Sequence, residues 1–301
     1  MKCRLLTVLT TVFLFAYAAA GAQNILVFQS DFGLQDGAVA AMKGVAVSVS
    51  ADLKLYDLTH DITPFNIYEA AYRLEQVARY WPVGTVFVSV VDPGVGSSRK
   101  SIVMKTRSGH YFVSPDNGTL TMVGKSLGLA EVREIDESRN RLAGSSASYT
   151  FHGRDVYAYT AARLAARVIS FEEAGPVLTS GIVSLSISSP QYQEGQVTGM
   201  IPVLDVQYGN VWTNIDQAAL DKLGIKPGDP VHVKILERDI VRYEGKVLFG
   251  KTFADVRVGE AVAYQNSLMN FSLGINQGNF AGRYAIGTGD VWHIVIRKAA
   301  R

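Results

Sequence analysis

Four stretches of the chain combine residue types that could do chemistry. In VFVSVVDPGVGSSR, Val86 to Arg99, the carboxylate of Asp92 stands at the end of an apolar run, and Arg99 follows seven residues later. The Pro93-Gly94 turn and Gly96 allow the arginine to fold back toward the acid. In QSDFGLQDG, Gln29 to Gly37, Asp31 and Asp36 follow another apolar run, in a loop with two glycines. Carboxylates so placed suit a pair of hydroxyls or an ammonium group. In FHGRD, Phe151 to Asp155, His152 sits beside a glycine where a helix begins, and an imidazole can take a proton near neutral pH. In DVQYGNVW, Asp205 to Trp212, an acid and the Asn210 amide flank a glycine among aromatics. Each stretch also has a plain structural reading. Asp92 and Arg99 can form a surface ion pair on a turn, Asp36 can cap a helix, and Arg154 and Asp155 can be ordinary first-turn polar residues. Asp57, His60 and Asp61 invite a metal reading, but their spacing matches no familiar ligand motif.

These residues need elements to hold them. Asn24 to Phe28 and Val86 to Val91 have the apolar composition of buried strands, and Leu53 to Leu58 alternates in the manner of another strand. Helical spacing separates them, over Val39 to Val49 and from Ile67 to a stop at Trp81-Pro82-Val83-Gly84. This alternation predicts a parallel sheet with right-handed crossovers, and ligands of such sheets gather at the carboxyl ends of the strands. Ser101 to Thr106 and His110 to Val113 read as a hairpin, and a helix is expected from about Leu120 to Leu127. A polar, irregular section follows, then a long amphipathic helix through Val156, Tyr159, Ala162 and Ala166. Beyond the Ser-, Pro- and Gly-containing stretch Pro176 to Gln196, short β segments dominate and suggest a second, barrel-like domain. The expected division is 1–22 leader, 23–190 α/β catalytic domain and 191–301 β-rich domain.

The chain has 301 residues, 48% of them hydrophobic, and a formal charge of +2. The cations are few and scattered, which argues against nucleic acid. Lys2 and Arg4, the apolar run Leu5 to Ala20 and the small residues around Ala20-Gly21-Ala22 form a secretory leader pattern. The expected product is an exported protein, periplasmic or secreted, with no stable membrane span. The single cysteine, Cys3, would leave with the leader, so neither a disulfide nor a cysteine metal site is expected in the mature chain.

The four motifs, in this order and spacing, resemble those of the S-adenosyl-L-methionine hydroxide adenosyltransferases, relatives of the fluorinase and chlorinase. The resemblance spans nearly the whole mature chain. It implies cleavage of S-adenosylmethionine (SAM) to adenosine and L-methionine by displacement at the ribose C5′, with SAM as substrate and no cofactor or metal. It implies a triad of Asp92, Arg99 and His152, with Asp31 on the ribose diol. Asp36, Asp205 and Ser267 match positions that hold the methionine ends. Phe65 and Phe151 match residues flanking the nucleoside, and Asn210 matches an adenine contact. The halogenase branch has tyrosine where Asp92 stands and differs at the FHG segment, so the resemblance favours water or hydroxide over halide. Leu268-Met269 departs from many relatives, which have glycine or a polar residue there. The family also implies a homotrimer whose sites lie between subunits.

The chemistry is compatible with these residues. A sulfonium leaves as a neutral thioether, so no general acid is required; an aligned, desolvated nucleophile is. A binding protein for SAM or a nucleoside would keep the pocket carboxylates without needing the triad. A halogenase-like enzyme would need a halide site, and a metal-dependent hydrolase would need the Asp57-His60-Asp61 cluster.

Overall fold

The computed structural model describes residues 24–300, so the expected leader lies outside the described residues. The first strand, β1 (Ile25–Ser30), is followed by α1 (Ala38–Val49), β2 (Lys54–Thr59), α2 (Ile67–Val77) and β3 (Val86–Val90). Next come β4 (Ser101–Thr106), β5 (Tyr111–Pro115), α3 (Thr121–Ser126), β6 (Leu129–Glu134) and the short α4 (Glu137–Asn140). A π-helical turn, Gly153–Ala158, then runs directly into α5 (Tyr159–Ala165). The strands form one six-stranded sheet in the order β2-β1-β3-β5-β4-β6. The first four are parallel, as the alternation of strand and helix predicts; β4 alone is reversed, antiparallel to both β5 and β6. The section expected to be irregular contains β6, an edge strand whose outer residues are exposed.

Both faces of the sheet's centre are covered, which is why β1 and β3 read as continuous apolar runs. Leu26 and Phe28 of β1 and Val86, Val88 and Val90 of β3 face one side. They pack there with Val39, Met42 and Ala46 of α1 and with Val156 to Ala165. Val27 and Phe87 face the other side and meet Leu74, Ala78, Met104, Phe112 and Val123. Each large side chain fully buried here contributes about 1.5–3 kcal/mol. Neighbours β1 and β3 are paired in register up to Ser30 and Val90, so Asp31 and Asp92 leave the sheet side by side.

The second half carries β7 (Gln191–Gln193), β8 (Gln196–Met200), β9 (Val203–Asp205), β10 (Asn210–Asp216) and α6 (Gln217–Leu223). It continues with β11 (Pro230–Glu237), β12 (Ile240–Phe249), β13 (Ala261–Gln265), β14 (Asn270–Ile275), α7 (Phe280–Tyr284) and β15 (Trp292–Lys298). Nine strands form one sheet, in the order β7-β8-β15-β11-β12-β13-β14-β10-β9. Alternation is clean where one face is buried: Val231, Val233 and Ile235 point inward between His232 and Lys234. Among the described residues β7 and β9 are each paired on one side only, so the sheet has open edges.

Helix α2 belongs to both halves. Its Tyr72 packs against Val203 and Trp212 of the second sheet. Arg73, next to it, donates through Nη2 to the Leu204 carbonyl at 2.8 Å and lies 6.0 Å from the Trp212 ring. Leu268 joins the same cluster, which explains an apolar residue at the position where the sequence departs from the family pattern.

Candidate active site

The carboxyl ends of β1 and β3 and the π turn close on a cavity of about 240 Å³. Asp31, Phe65, Asp92, Phe151 and His152 all line it. The sequence therefore named five residues, from four separate segments, that the fold brings to one place. Arg99 folds back over the Pro93-Gly94 turn and donates to Asp92 Oδ1. The Asp92 side chain is 7% exposed in this pair, and that of Arg99 27%. The same carboxylate accepts from Tyr157 Oη at 3.2 Å on its other oxygen.

His152 is buried, and its Nε2 has no hydrogen-bond partner among the described residues. Buried polar nitrogens are nearly always paired, so an orphan aimed into a cavity marks a place for a ligand or a reacting group. The walls beside it are aromatic and fixed. Phe151 meets Phe32 edge-to-face at 5.8 Å, and the Arg154 guanidinium lies 4.9 Å from the other side of the Phe151 ring. Arg154 is itself held by a forked bond to fully buried Asp155, Nε to Oδ1 at 2.7 Å and Nη2 to Oδ2 at 3.1 Å. These two residues thus support the wall, beyond the first-turn role read from sequence.

Asp31 Oδ2 accepts from the Phe65 backbone N–H at 2.9 Å. Phe65 has φ of +67° and is 71% exposed. A bulky residue in left-handed backbone with its ring in solvent is doubly unfavourable, and such strain collects where a ligand is gripped. Behind this loop, His60 Nδ1 pairs with Ser30 Oγ at 2.7 Å and His60 Nε2 with Asp57 Oδ1 at 3.1 Å. Lys43 closes the chain on Asp57 at 2.6 Å. Both imidazole nitrogens are occupied, so the Asp57-His60-Asp61 stretch serves to fix the loop that carries Asp31.

Asp205 and Asn210 lie elsewhere. They are joined by a 2.9 Å bond from Asn210 Nδ2 to Asp205 Oδ2 and line a second cavity of about 720 Å³ on the nine-stranded sheet. Phe253, Tyr264 and Asn279 complete its walls. Burial pushes the Tyr264 phenol up to about 12, against a bond from Trp212 Nε1 at 3.2 Å, so its hydroxyl stays protonated. Asp36 and Ser267 line neither cavity. Asp36 is exposed and accepts from Ala38 N at 2.9 Å at the start of α1, and Ser267 is exposed.

Sequence reasoning missed Tyr157, Thr150 and Val95 around the first cavity and Phe253 and Asn279 around the second. The Asn276-Gln277-Gly278-Asn279 cluster carried a turn signal that marks the rim of the second cavity. Tyr157 carried no such signal.

Comparison with known proteins agrees with this geometry. Residues 26–175 match the SAM hydroxide adenosyltransferase N-terminal domain, and residues 199–293 match its C-terminal domain. The (R)-S-adenosyl-L-methionine hydrolase of Methanocaldococcus jannaschii is 34% identical over 242 residues, which cover 76% of this chain and 80% of that protein. The fluorinase of Actinopolyspora mzabensis is 29% identical, covering 88% of this chain and 95% of its own. The crystal structure of an uncharacterized conserved protein from Thermotoga maritima superposes with a TM-score of 0.83 at 35% identity, over 90% of this chain and 99% of that one. On these matches, which span both sheets, the chain belongs to the SAM hydroxide adenosyltransferase family.

Proposed function

We propose that the protein hydrolyses S-adenosyl-L-methionine to adenosine and L-methionine by attack of water or hydroxide at the ribose C5′. One observation carries the reading: the unpartnered Nε2 of buried His152 shares a cavity with Asp92, which is paired with Arg99. Water aligned against the C5′–S bond gives up a proton to His152 Nε2. Its oxygen bonds to C5′, and the C5′–S electron pair leaves with the neutral thioether of methionine. Arg99 favours the hydroxide-like nucleophile and Asp92 orients the pair, within general-base magnitudes of ~10²–10⁴. Asp31 holds the ribose hydroxyls, and Phe65 and Phe151 flank the nucleoside. Asn210 takes adenine. Asp205, Asp36 and Ser267 hold the methionine ends, the last two by resemblance to the family only. The reaction draws on no cofactor or metal. Aspartate at position 92, with FHG intact, favours this reading over a halogenase-like one.

The placement of Asp92 and Asn210 on two cavities supports a homotrimer with sites between subunits, one subunit's first sheet facing the next subunit's second sheet. The catalytic unit then corresponds to 23–190 and the barrel-like unit to 191–301. With residues 1–22 as leader, the enzyme works outside the cytoplasm.

The test is direct. Protein lacking residues 1–22 is incubated with each sulfonium epimer of SAM, and adenosine is followed by chromatography. Adenosine and methionine in equal amounts support the proposal. Tight binding without adenosine identifies a binding protein. Mixed Asp92→Ala and Asn210→Ala subunits, reassembled, recover part of the activity only if sites are shared.

A further inference from the structure

Tyr157 takes no part in the proton transfer described above, yet it is among the most deeply buried side chains next to the site, at 1% exposed. Its hydroxyl accepts from Ser101 Oγ at 3.3 Å and donates to Asp92 Oδ2 at 3.2 Å. The Ser101 contact fixes the direction of the phenolic proton, which points at the carboxylate. Burial, and then the charge of Asp92, push the phenol up, so it keeps that proton. The opposite carboxylate oxygen, Oδ1, accepts from Arg99 and from the Gly94 N–H at 3.3 Å. With donors on both oxygens, the plane of the carboxylate is fixed.

The backbone is shaped to deliver this contact. Tyr157 follows His152 by five residues. On an α-helix of 3.6 residues per turn the two would diverge by roughly 140°. The turn here is π-helical over Gly153–Ala158, and a turn that closes on i+5 returns both rings to one side, 6.4 Å apart. Gly153 opens it where a Cβ would stand 3.2 Å from Phe32 and 3.3 Å from Val90. Such π turns concentrate at functional sites.

We propose that Tyr157, braced by Ser101, is a positioning residue for Asp92: the π turn exists to hold the carboxylate plane toward Arg99 and the attacking water. Tyr157 does not line the cavity, so it acts through Asp92. The titratable groups around the carboxylate are Arg99, Tyr157 and, across the cavity, His152 and Asp31. The inference rests on the hydrolase reading.

The experiment is steady-state hydrolysis of SAM by Tyr157→Phe, which removes one oxygen and keeps the ring. The expected result is kcat reduced about tenfold with KM within twofold of wild type, because a misaligned Asp92 slows the step without loosening the substrate. Ser101→Ala shifts the same quantities less, and it carries the test if Tyr157→Phe does not fold. Tyr159→Phe, whose ring lies against Arg163, leaves them unchanged. Wild-type kcat in both variants overturns the inference, as does a lower melting temperature with kcat and KM disturbed together, which marks a merely structural role. A wild-type protein that yields no adenosine instead overturns the hydrolase reading and takes this inference with it.

Discussion

A methyl group at Gly94 should disable the site at the cost to the fold of about one charge-assisted hydrogen bond. A Cβ built there would stand 2.5 Å from Arg99 Nη2 and 2.7 Å from its Cζ and Nη1. Non-bonded contacts settle near ~3.5–4.0 Å, so the guanidinium must move by about 1 Å. Gly94 is not at positive φ, so alanine is compatible with its backbone. The Arg99 side chain, 27% exposed, has room to swing outward, but its partner Asp92 is 7% exposed and stays behind. A charge-assisted hydrogen bond is worth about 1.5–3 kcal/mol, which the fold loses, and misplacing a catalytic group by 1 Å can cost up to ~10²-fold. Gly94→Ala should therefore lower kcat about 10- to 100-fold with KM near wild type and a modestly lower melting temperature. The assay is adenosine release from SAM beside a thermal melt. Arg99→Ala should be at least as slow, and the double variant no slower than Arg99→Ala, since both remove one interaction. Wild-type turnover in Gly94→Ala would refute the reasoning, because it would mean that Arg99 can leave its present position without consequence.

Other outcomes follow from the same geometry. Asp92→Ala and His152→Ala should each reduce turnover strongly, and together little more than the worse single variant; multiplicative losses in single-turnover kinetics would show that they do not share a step. Phe65→Gly should raise KM for SAM several-fold while leaving stability within about 1 kcal/mol, because relief of left-handed strain offsets glycine's extra chain entropy; an unchanged KM argues against a nucleoside contact. Burial pushes the Asp116 carboxyl up, against the Val183 N–H, Lys100 and Arg99. An acid raised on folding costs stability above its unfolded value of 3.8 and stops doing so below it. Asp116→Asn should thus melt higher than wild type at pH 7, and the gain should fade as the pH drops through the raised value toward 3.8. Equal gains at every pH would place the effect elsewhere.

The first cavity was legible in the sequence because its residues follow strands doubly covered by helices, and such strands announce themselves as unbroken apolar runs ending in Asp31 and Asp92. The parallel sheet was legible for the same reason. The edge strand β6 was not, since Glu131, Arg133 and Glu134 are charged and only Val132 of Leu129–Glu134 is buried. Nor was the π turn: Val156, Tyr159, Ala162 and Ala166 fit an ordinary helix, and the distortion sits upstream of that pattern. Tyr157 was hidden with it. Asp36 was foreseen as either a cap or a ligand group, and the structure shows it accepting from Ala38 N at the start of α1, one residue ahead of the N-cap Gly37. The open edges of the second sheet depend on which distant strands pair, which no local pattern reveals.

Helix α2 starts two residues after Phe65, which is clipped to Asp31, and its Tyr72 and Arg73 are sunk against the second sheet. The lip of the first cavity and the seam between the two sheets are thus ends of one rigid rod. The halves are accordingly poor building blocks. A first half grafted onto a relative's second half would carry a helix cut for the wrong groove, and its error would surface at Phe65. Exchange of modules between family members should therefore be rare, and variation in substrate preference should come from point changes along this rod and the loops beside it.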